Sequence, residues 1–189
     1  MGLSQIGARG KALAGESAQS ILAHYYSGTQ LLSLPDDQNV RVNIGHLLTQ
    51  ASIRSGTKDS TLNVYQGDVG ENLSALPAAS LTWRSSISFV QLGANISAFI
   101  VTGKKSEFLG MNSTWSVRWS GTRYLDGPAS TVSLRVNSKS VKYRYGQIQV
   151  KSVKAPVIGN RMAVTNTVRI HDEYLYGIGE VPSSWPTQA

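Results

Sequence analysis

The sequence predicts an α+β fold that is mostly β, with a sandwich or barrel-like central body between two helical ends. From about residue 38, apolar residues alternate with polar ones in short runs separated by turn residues, which is typical of a β-rich body. Ahead of this region, apolar residues recur at helical spacing. We expect one domain over residues 1–189: a helical element at 1–30, the β body at 38–165, and a short helix with a loop at 166–189.

The N-terminal segment is predicted to hold a surface helix with one apolar face. Between residues 16 and 26, Ala18, Ile21, Leu22 and Tyr25 share one side of a helix, and Gly28 stands where the helix should end. This segment also contains His24, for which a partly buried structural role is the more common one.

Alternating residues mark the strands of the body. The apolar residues at 40, 42 and 44, at 115, 117 and 119, and at 132, 134 and 136 each alternate with polar ones. Apolar residues at 141, 143 and 145 are followed in shifted phase by Ile148 and Val150. We therefore expect a β-bulge at Gly146.

Composition excludes several classes of site. The chain has no cysteine, which rules out disulfides, thiolate zinc sites and cysteine nucleophiles. Its three histidines show no metal-ligand spacing, so we expect no metal, and no cofactor-binding motif is present. No apolar run approaches the roughly 20 residues of a membrane span, and no charged-then-apolar leader opens the chain.

The net charge of +7 is unevenly distributed. No acidic residue lies between Asp126 and Asp172, whereas eight cations do: Arg135, Lys139, Lys142, Arg144, Lys151, Lys154, Arg161 and Arg169. Two interpretations are equally supported: a basic face for an anionic polymer, and a solvated sheet face. We do not expect nucleic acid as the partner, because the aromatic residues do not interleave with the basic ones in an RNA-binding pattern.

The C-terminal segment carries an unusually placed carboxylate. Glu180 lies between a predicted helix end at Gly177 and Gly179 and a loop that contains Trp185. Partial desolvation by Trp185 would raise the pKa of Glu180 toward that of a general acid. Taken alone, the local sequence favours a solvent-exposed loop glutamate.

Motifs at both ends of the chain resemble the bacterial SpoIID/LytB family, the stage II sporulation protein D and amidase-enhancer proteins. Residues 173–186, EYLYGIGEVPSSWP, resemble the family segment L-E-x-Y-L-x-G followed by E-M-P-x-x-W-P. Residues 2–10, GLSQIGARG, resemble its G-M-S-Q-x-G-A-x-G element, and residues 21–29, ILAHYYSGT, its I-L-x-H-Y-Y-P-G-T element. Together the motifs cover about a quarter of the chain, and the middle agrees only in being β-rich.

The resemblance implies an extracytoplasmic protein that acts on peptidoglycan glycan strands. It places the catalytic glutamate at Glu180, and residues expected to contact substrate at Ser4, Gln5, His24, Tyr25, Tyr26, Ser184 and Trp185. A lytic transglycosylase needs only one carboxylate, since the sugar's own 6-hydroxyl attacks in place of an activated water. Glu173, about 10 Å along a helix from Glu180, is too distant for a retaining pair and is expected to be a first-turn helix acid.

The sequence also departs from the family pattern. Val181 replaces the usual Met and Ser27 the usual Pro. The family's histidine before Met1 and its basic helix after Pro186 are absent, so we expect a chain truncated at both ends with an incomplete site. The alternative function is a non-catalytic wall-binding module that enhances a peptidoglycan amidase.

Overall fold

The computed structural model describes residues 2–175. Helices α1 (Gln5–Leu13) and α2 (Ala18–Tyr25) precede a β-sandwich, and a single π-helical turn (Ile170–Tyr174) follows it. The strands of the sandwich are β1 (Asn39–Leu48), β2 (Gln50–Ser55), β3 (Thr61–Gln66), β4 (Ala79–Thr82), β5 (Ser85–Leu92), β6 (Asn95–Thr102), β7 (Lys105–Asn112), β8 (Thr114–Trp119), β9 (Val132–Val136), β10 (Lys139–Tyr143), β11 (Gln147–Ala155) and β12 (Gly159–Arg169).

The strands form two antiparallel sheets. The first sheet has the order β1-β12-β11-β8-β3-β4, and the second has the order β10-β9-β2-β5-β6-β7. Tight turns close the hairpins of the second sheet, and they contain backbone at positive φ: Gly93 and Gly103 after β5 and β6, and Asn137 with Ser138 after β9. Such turns match the right-handed twist of the strands they join.

The core lies between the two sheets. Alternate residues of the eight inner strands are apolar and buried there, as the period of two in a half-buried strand requires. Phe89 of β5 packs on Trp115 of β8 with ring centroids 6.2 Å apart. Trp115 Nε1 also donates a hydrogen bond of 3.0 Å to the carbonyl of Ile96 in the opposite sheet, so this indole ties the two layers together.

The structure confirms the predicted fold class and identifies the body as a sandwich rather than a barrel. Strand β12 continues to Arg169, four residues past the expected end of the body at 165. The expected bulge at Gly146 is wrong. Gly146 lies where the chain crosses from β10 in the second sheet to β11 in the first, at φ 100°. A Cβ there would lie 2.3 Å from Asn166 Oδ1, so the crossing requires glycine.

Candidate functional site

The points where the chain enters and leaves the sandwich meet at one edge of the first sheet. Strand β1 pairs with β12 so that Asn39, its first residue, lies opposite Arg169, the last residue of β12. The contact continues beyond the strands: Ile170 N donates to Gln38 O (3.0 Å), and His171 N donates to Asp36 O (3.1 Å). The His171 and Asp36 side chains also pair at 2.6 Å. The chain thus enters the sandwich beside the point where it leaves toward Glu180.

The π-helical turn after β12 is attached to the sandwich by Glu173. This side chain is buried, with 5% exposed, and its Oε2 accepts hydrogen bonds from Arg169 N (2.8 Å) and from Arg123 Nε (3.3 Å). A second ion pair joins the end of β12 to the turn, from Arg169 Nε to Asp172 Oδ1 at 2.7 Å, and its hydrogen bond lowers the pKa of Asp172. Glu173 and Asp172 therefore hold the start of the motif segment against the β body.

Arg123 extends this attachment into a polar cluster that is partly exposed. Its Nη1 donates to Glu71 Oε2 at 2.6 Å, its guanidinium lies 4.0 Å from the Tyr124 ring centroid, and it also bonds Asn39 at the start of β1. Tyr124 Oη donates to Glu71 Oε1 at 2.9 Å. Burial and the hydrogen bond to Glu71 raise the pKa of Tyr124, which keeps the phenol neutral as a donor. Burial opposes ionisation of Glu71, but the hydrogen bonds from Arg123 and Tyr124 outweigh it and lower its pKa.

Arg118 holds the loop that carries Glu71. It points to the outer side of the first sheet, yet its side chain is fully buried because residues 67–78 fold over it. Its guanidinium donates to Asn72 O and Gly70 O, both at 2.9 Å, and to Gln147 Oε1. The aromatic rings of Tyr65 and Tyr124 lie 5.1 and 5.2 Å from its Cζ. These contacts satisfy all three guanidinium nitrogens without a carboxylate.

The N-terminal motifs form a pair of helices in contact. Ser4 is the N-cap of α1, and its hydroxyl accepts from Gly7 N at 3.2 Å. A Cβ on Gly7 would lie 2.0 Å from Tyr25 Oη, so the Tyr25 side chain of α2 fills the space beside this glycine. The two sequence elements that resemble separate family motifs, 2–10 and 21–29, therefore belong to one local unit.

The other predicted substrate contacts of this unit lie at its surface. Gln5 is exposed at the first position of α1. His24 is exposed rather than partly buried, and its ring meets that of Tyr25 edge to face with centroids 5.0 Å apart. Tyr26 is 41% exposed, and its Oη accepts from Leu3 N at 3.3 Å. Glu180, Ser184 and Trp185 lie outside the described residues.

The eight cations between Asp126 and Asp172 do not share one face. Arg135 and Lys142 lie on the outer side of the second sheet, whereas Lys151 lies on the outer side of the first. The Arg144 side chain is hydrogen-bonded to the protein's own backbone, since its Nη1 donates to Gly121 O at 2.8 Å. Arg169 is paired with Asp172. The cations of this interval therefore do not form a single basic face.

Two classes of site find no support in residues 2–175. No group of three or more His, Asp or Glu side chains within this part of the chain could hold a metal ion. Within the same residues, no helix has the length and apolar character needed to cross a membrane.

Sequence reasoning missed Arg118, Arg123, Glu71 and Tyr124. The alternation of Trp115, Val117 and Trp119 with Ser116 and Arg118 predicts that Arg118 faces solvent. Only the folded loop at 67–78 makes that outward position a buried one. The aromatic residue adjacent to Arg123 was the one local signal of a cation–π pair.

Comparison with known proteins does not assign the chain to a family. No family model, no curated protein and no solved structure matches it. The residue motifs and the geometry above are therefore the basis for a functional assignment.

Proposed function

We propose that the chain is a SpoIID/LytB-like peptidoglycan-acting protein of the lytic transglycosylase type, with Glu180 as its acid/base. The observation that carries this proposal is the contact between residues 36–39, where the chain enters the sandwich, and residues 169–171, where it leaves the sandwich. The helical pair with the Ser4-Gln5 and His24-Tyr25-Tyr26 motifs lies just ahead of this point in the chain. The Glu180 segment begins just after it.

The anchored π-helical turn supports the proposal because it fixes where the proposed catalytic segment begins relative to the sandwich. A catalytic carboxylate must be held in register with its substrate, and displacement by about 1 Å can cost about 100-fold in rate. Glu173, buried and bonded to Arg169 N and Arg123 Nε, fixes the first turn of the segment to the sandwich. Glu180 follows seven residues later in sequence.

The proposed reaction needs one carboxyl group. The Glu180 carboxylic acid donates its proton to the glycosidic oxygen as the bond from that oxygen to C1 breaks. The resulting carboxylate then accepts the proton of the same sugar's 6-hydroxyl while that oxygen bonds to C1. The products are a shortened strand and a 1,6-anhydro sugar end, no water is consumed, and Glu180 regains its proton. The substrate is an extracytoplasmic glycan strand, which places the protein outside the cytoplasm.

A Glu180→Gln variant tests the assignment on purified glycan strands that lack stem peptides. The anhydro ends are detected by mass spectrometry. We expect the variant to form them at least about 100-fold more slowly than the wild type, because general acid–base catalysis contributes that much or more. Glu107→Gln, the same change at an exposed residue of β7, is the matched control and should leave the rate unchanged. Equal rates for wild type and Glu180→Gln would exclude Glu180 as the acid/base.

A non-catalytic wall-binding module that enhances an amidase is the second candidate. The exposed cations on the outer side of the second sheet favour it, since they provide contacts for an anionic polymer that do not involve Glu180. In this case wild type and Glu180→Gln would both lack glycan cleavage, bind sacculi equally, and stimulate a wall amidase to the same extent. Anhydro products from the wild type would exclude this candidate as the complete function.

A further inference from the structure

The outer side of the second sheet carries a regular array of hydroxyl and cationic side chains, here termed the serine–arginine face. In one row across the strands, Lys142, Ser133, Arg54 and Ser86 are direct neighbours. In the adjacent row, the neighbours are Ser140, Arg135, Ser52, Ser88, Phe99 and Phe108. The residues between them in sequence, such as Ile53 and Ile87, fill the core, so both rows face away from the sandwich.

The cations of this face have no acidic neighbours on their own sheet. The six strands contain a single carboxylate, Glu107, which lies opposite Ile100, a residue packed against the core. Arg54, Arg135 and Lys142 are exposed, and none of them forms an ion pair with a carboxylate of residues 2–175. The face is thus positive, and its charge is available to an anionic partner.

A shallow polar pocket of about 230 Å³ lies on the face beside Arg135. The hydroxyls of Ser52 and Ser88 line it, and the β9–β10 turn, Asn137 and Ser138, forms its rim. A guanidinium with neighbouring hydroxyl groups suits a carboxylate whose attached carbon skeleton carries hydroxyls of its own.

An aromatic pair extends the face at its other end. The Phe99 and Phe108 rings are 5.5 Å apart, and Phe108 is 57% exposed. Three strand spacings, about 14 Å, separate Arg135 on β9 from Phe99 on β6. Exposed aromatic faces of this kind pack on the apolar faces of sugar rings, which distinguishes the surface from one that recognises charge alone.

We propose that the serine–arginine face binds an acidic polysaccharide, with Arg54, Arg135 and Lys142 pairing its carboxylates and Phe99 and Phe108 packing on a sugar ring. Charge complementarity, the row of hydroxyls and the aromatic pair each select one property of that ligand: carboxylates, sugar hydroxyls and ring faces. The inference does not depend on a catalytic role for Glu180, and it holds for either function proposed above.

Binding of a fluorescent hyaluronan oligosaccharide, which combines glucuronate carboxylates with sugar rings, tests the proposal by anisotropy at fixed salt. We expect the Arg54→Ser/Arg135→Ser variant to bind at least about tenfold more weakly, because charge-assisted hydrogen bonds are lost. Phe108→Ala should weaken binding several-fold. The matched control Lys151→Ser/Lys154→Ser removes the same charge from exposed residues of β11 and should bind as the wild type does. Thermal unfolding midpoints verify that each variant is folded.

Two competing polymers and one variant decide the outcome. A neutral chitin oligosaccharide and a polyphosphate should each bind more weakly than the hyaluronan probe, since each lacks either the charge or the sugar. Equal binding of either one, or an equal loss in the Lys151→Ser/Lys154→Ser control, would overturn the proposal. Glu180→Gln should bind the probe normally. Loss of binding in that variant would place the polysaccharide at Glu180 and not on this face, whereas loss of glycan cleavage with normal binding separates the two functions.

Discussion

Glu173 is a carboxylate whose role depends on burial rather than on its place in a motif. In the sequence it stands beside Asp172 at a predicted helix start, where both acids suit the helix dipole. In the structure the two differ. Asp172 pairs with Arg169 at the surface, whereas Glu173 turns inward to Arg169 N and Arg123. A hydrogen-bonded carboxylate with a guanidinium partner is suited to anchoring the segment.

Replacing Glu173 by Ala should lower the free energy of unfolding by about 1–3 kcal/mol, because Arg169 N and Arg123 Nε lose their acceptor at a buried position. Urea denaturation followed by circular dichroism measures this change. Glu107→Ala, at an exposed residue, should cost no more than about 0.5 kcal/mol. Similar losses for the two variants would show that Glu173 does not anchor the turn.

The loop at 67–78 shows how one element depends on a side chain from another. It joins β3 to β4 and crosses the outer side of the first sheet, where Arg118 and Ser116 hold its backbone. Because the loop also carries Glu71, its position decides where Arg123 lies, and Arg123 in turn contacts Glu173. The loop therefore links β8 to the π-helical turn.

We expect Arg118→Lys to release this loop. An ammonium group cannot reproduce the planar fork that reaches Asn72 O, Gly70 O and Gln147 Oε1 together, so at least one buried carbonyl should lose its donor, at a cost of about 1–3 kcal/mol. Hydrogen exchange measured by mass spectrometry should show faster exchange in residues 67–78 than in β5 and β6. Arg54→Lys, at an exposed position, should leave the exchange pattern unchanged, and an unchanged pattern for Arg118→Lys would contradict the proposed contact.

At the scale of the whole molecule, the two sheets are joined by buried aromatic residues. Trp115 and Trp119 are both fully buried on β8. Trp115 packs on Phe89 and donates to Ile96 O, both in the opposite sheet, while Trp119 Nε1 donates to Arg144 O at 3.2 Å. An indole can supply apolar area and a donor at the same time, which suits a residue that spans two layers.

The cross-sheet contact predicts a large effect for Trp115→Phe. The smaller ring leaves a cavity and removes the donor to Ile96 O, so the free energy of unfolding should fall by about 2–3 kcal/mol. Trp83→Phe, in the half-buried turn between β4 and β5, should cost less than about 1 kcal/mol. Chemical denaturation compares the two, and an equal cost would show that Trp115 does not tie the sheets.

Several local features could be predicted because they depend on neighbouring residues only. The helical spacing of Ala18, Ile21 and Tyr25 predicts α2, and the alternation around Trp115 and Val132 predicts β8 and β9. The position of Gly146 could not be predicted as a crossing. The residues adjacent to Gly146 do not indicate that the strands on its two sides belong to different sheets.

The sequence by itself determined most of the helices and strands, the mostly β class and the motifs that point to Glu180. These follow from periodicity and residue type, which act over a few positions. Only the tertiary structure decided that the start of β1 and the end of β12 meet at Asn39 and Arg169, that Arg118 is buried, and that the cations divide between two faces. The physical reason is that strand pairing and loop packing join residues far apart in the chain, and one pairing sets the burial and partners of every side chain on both strands.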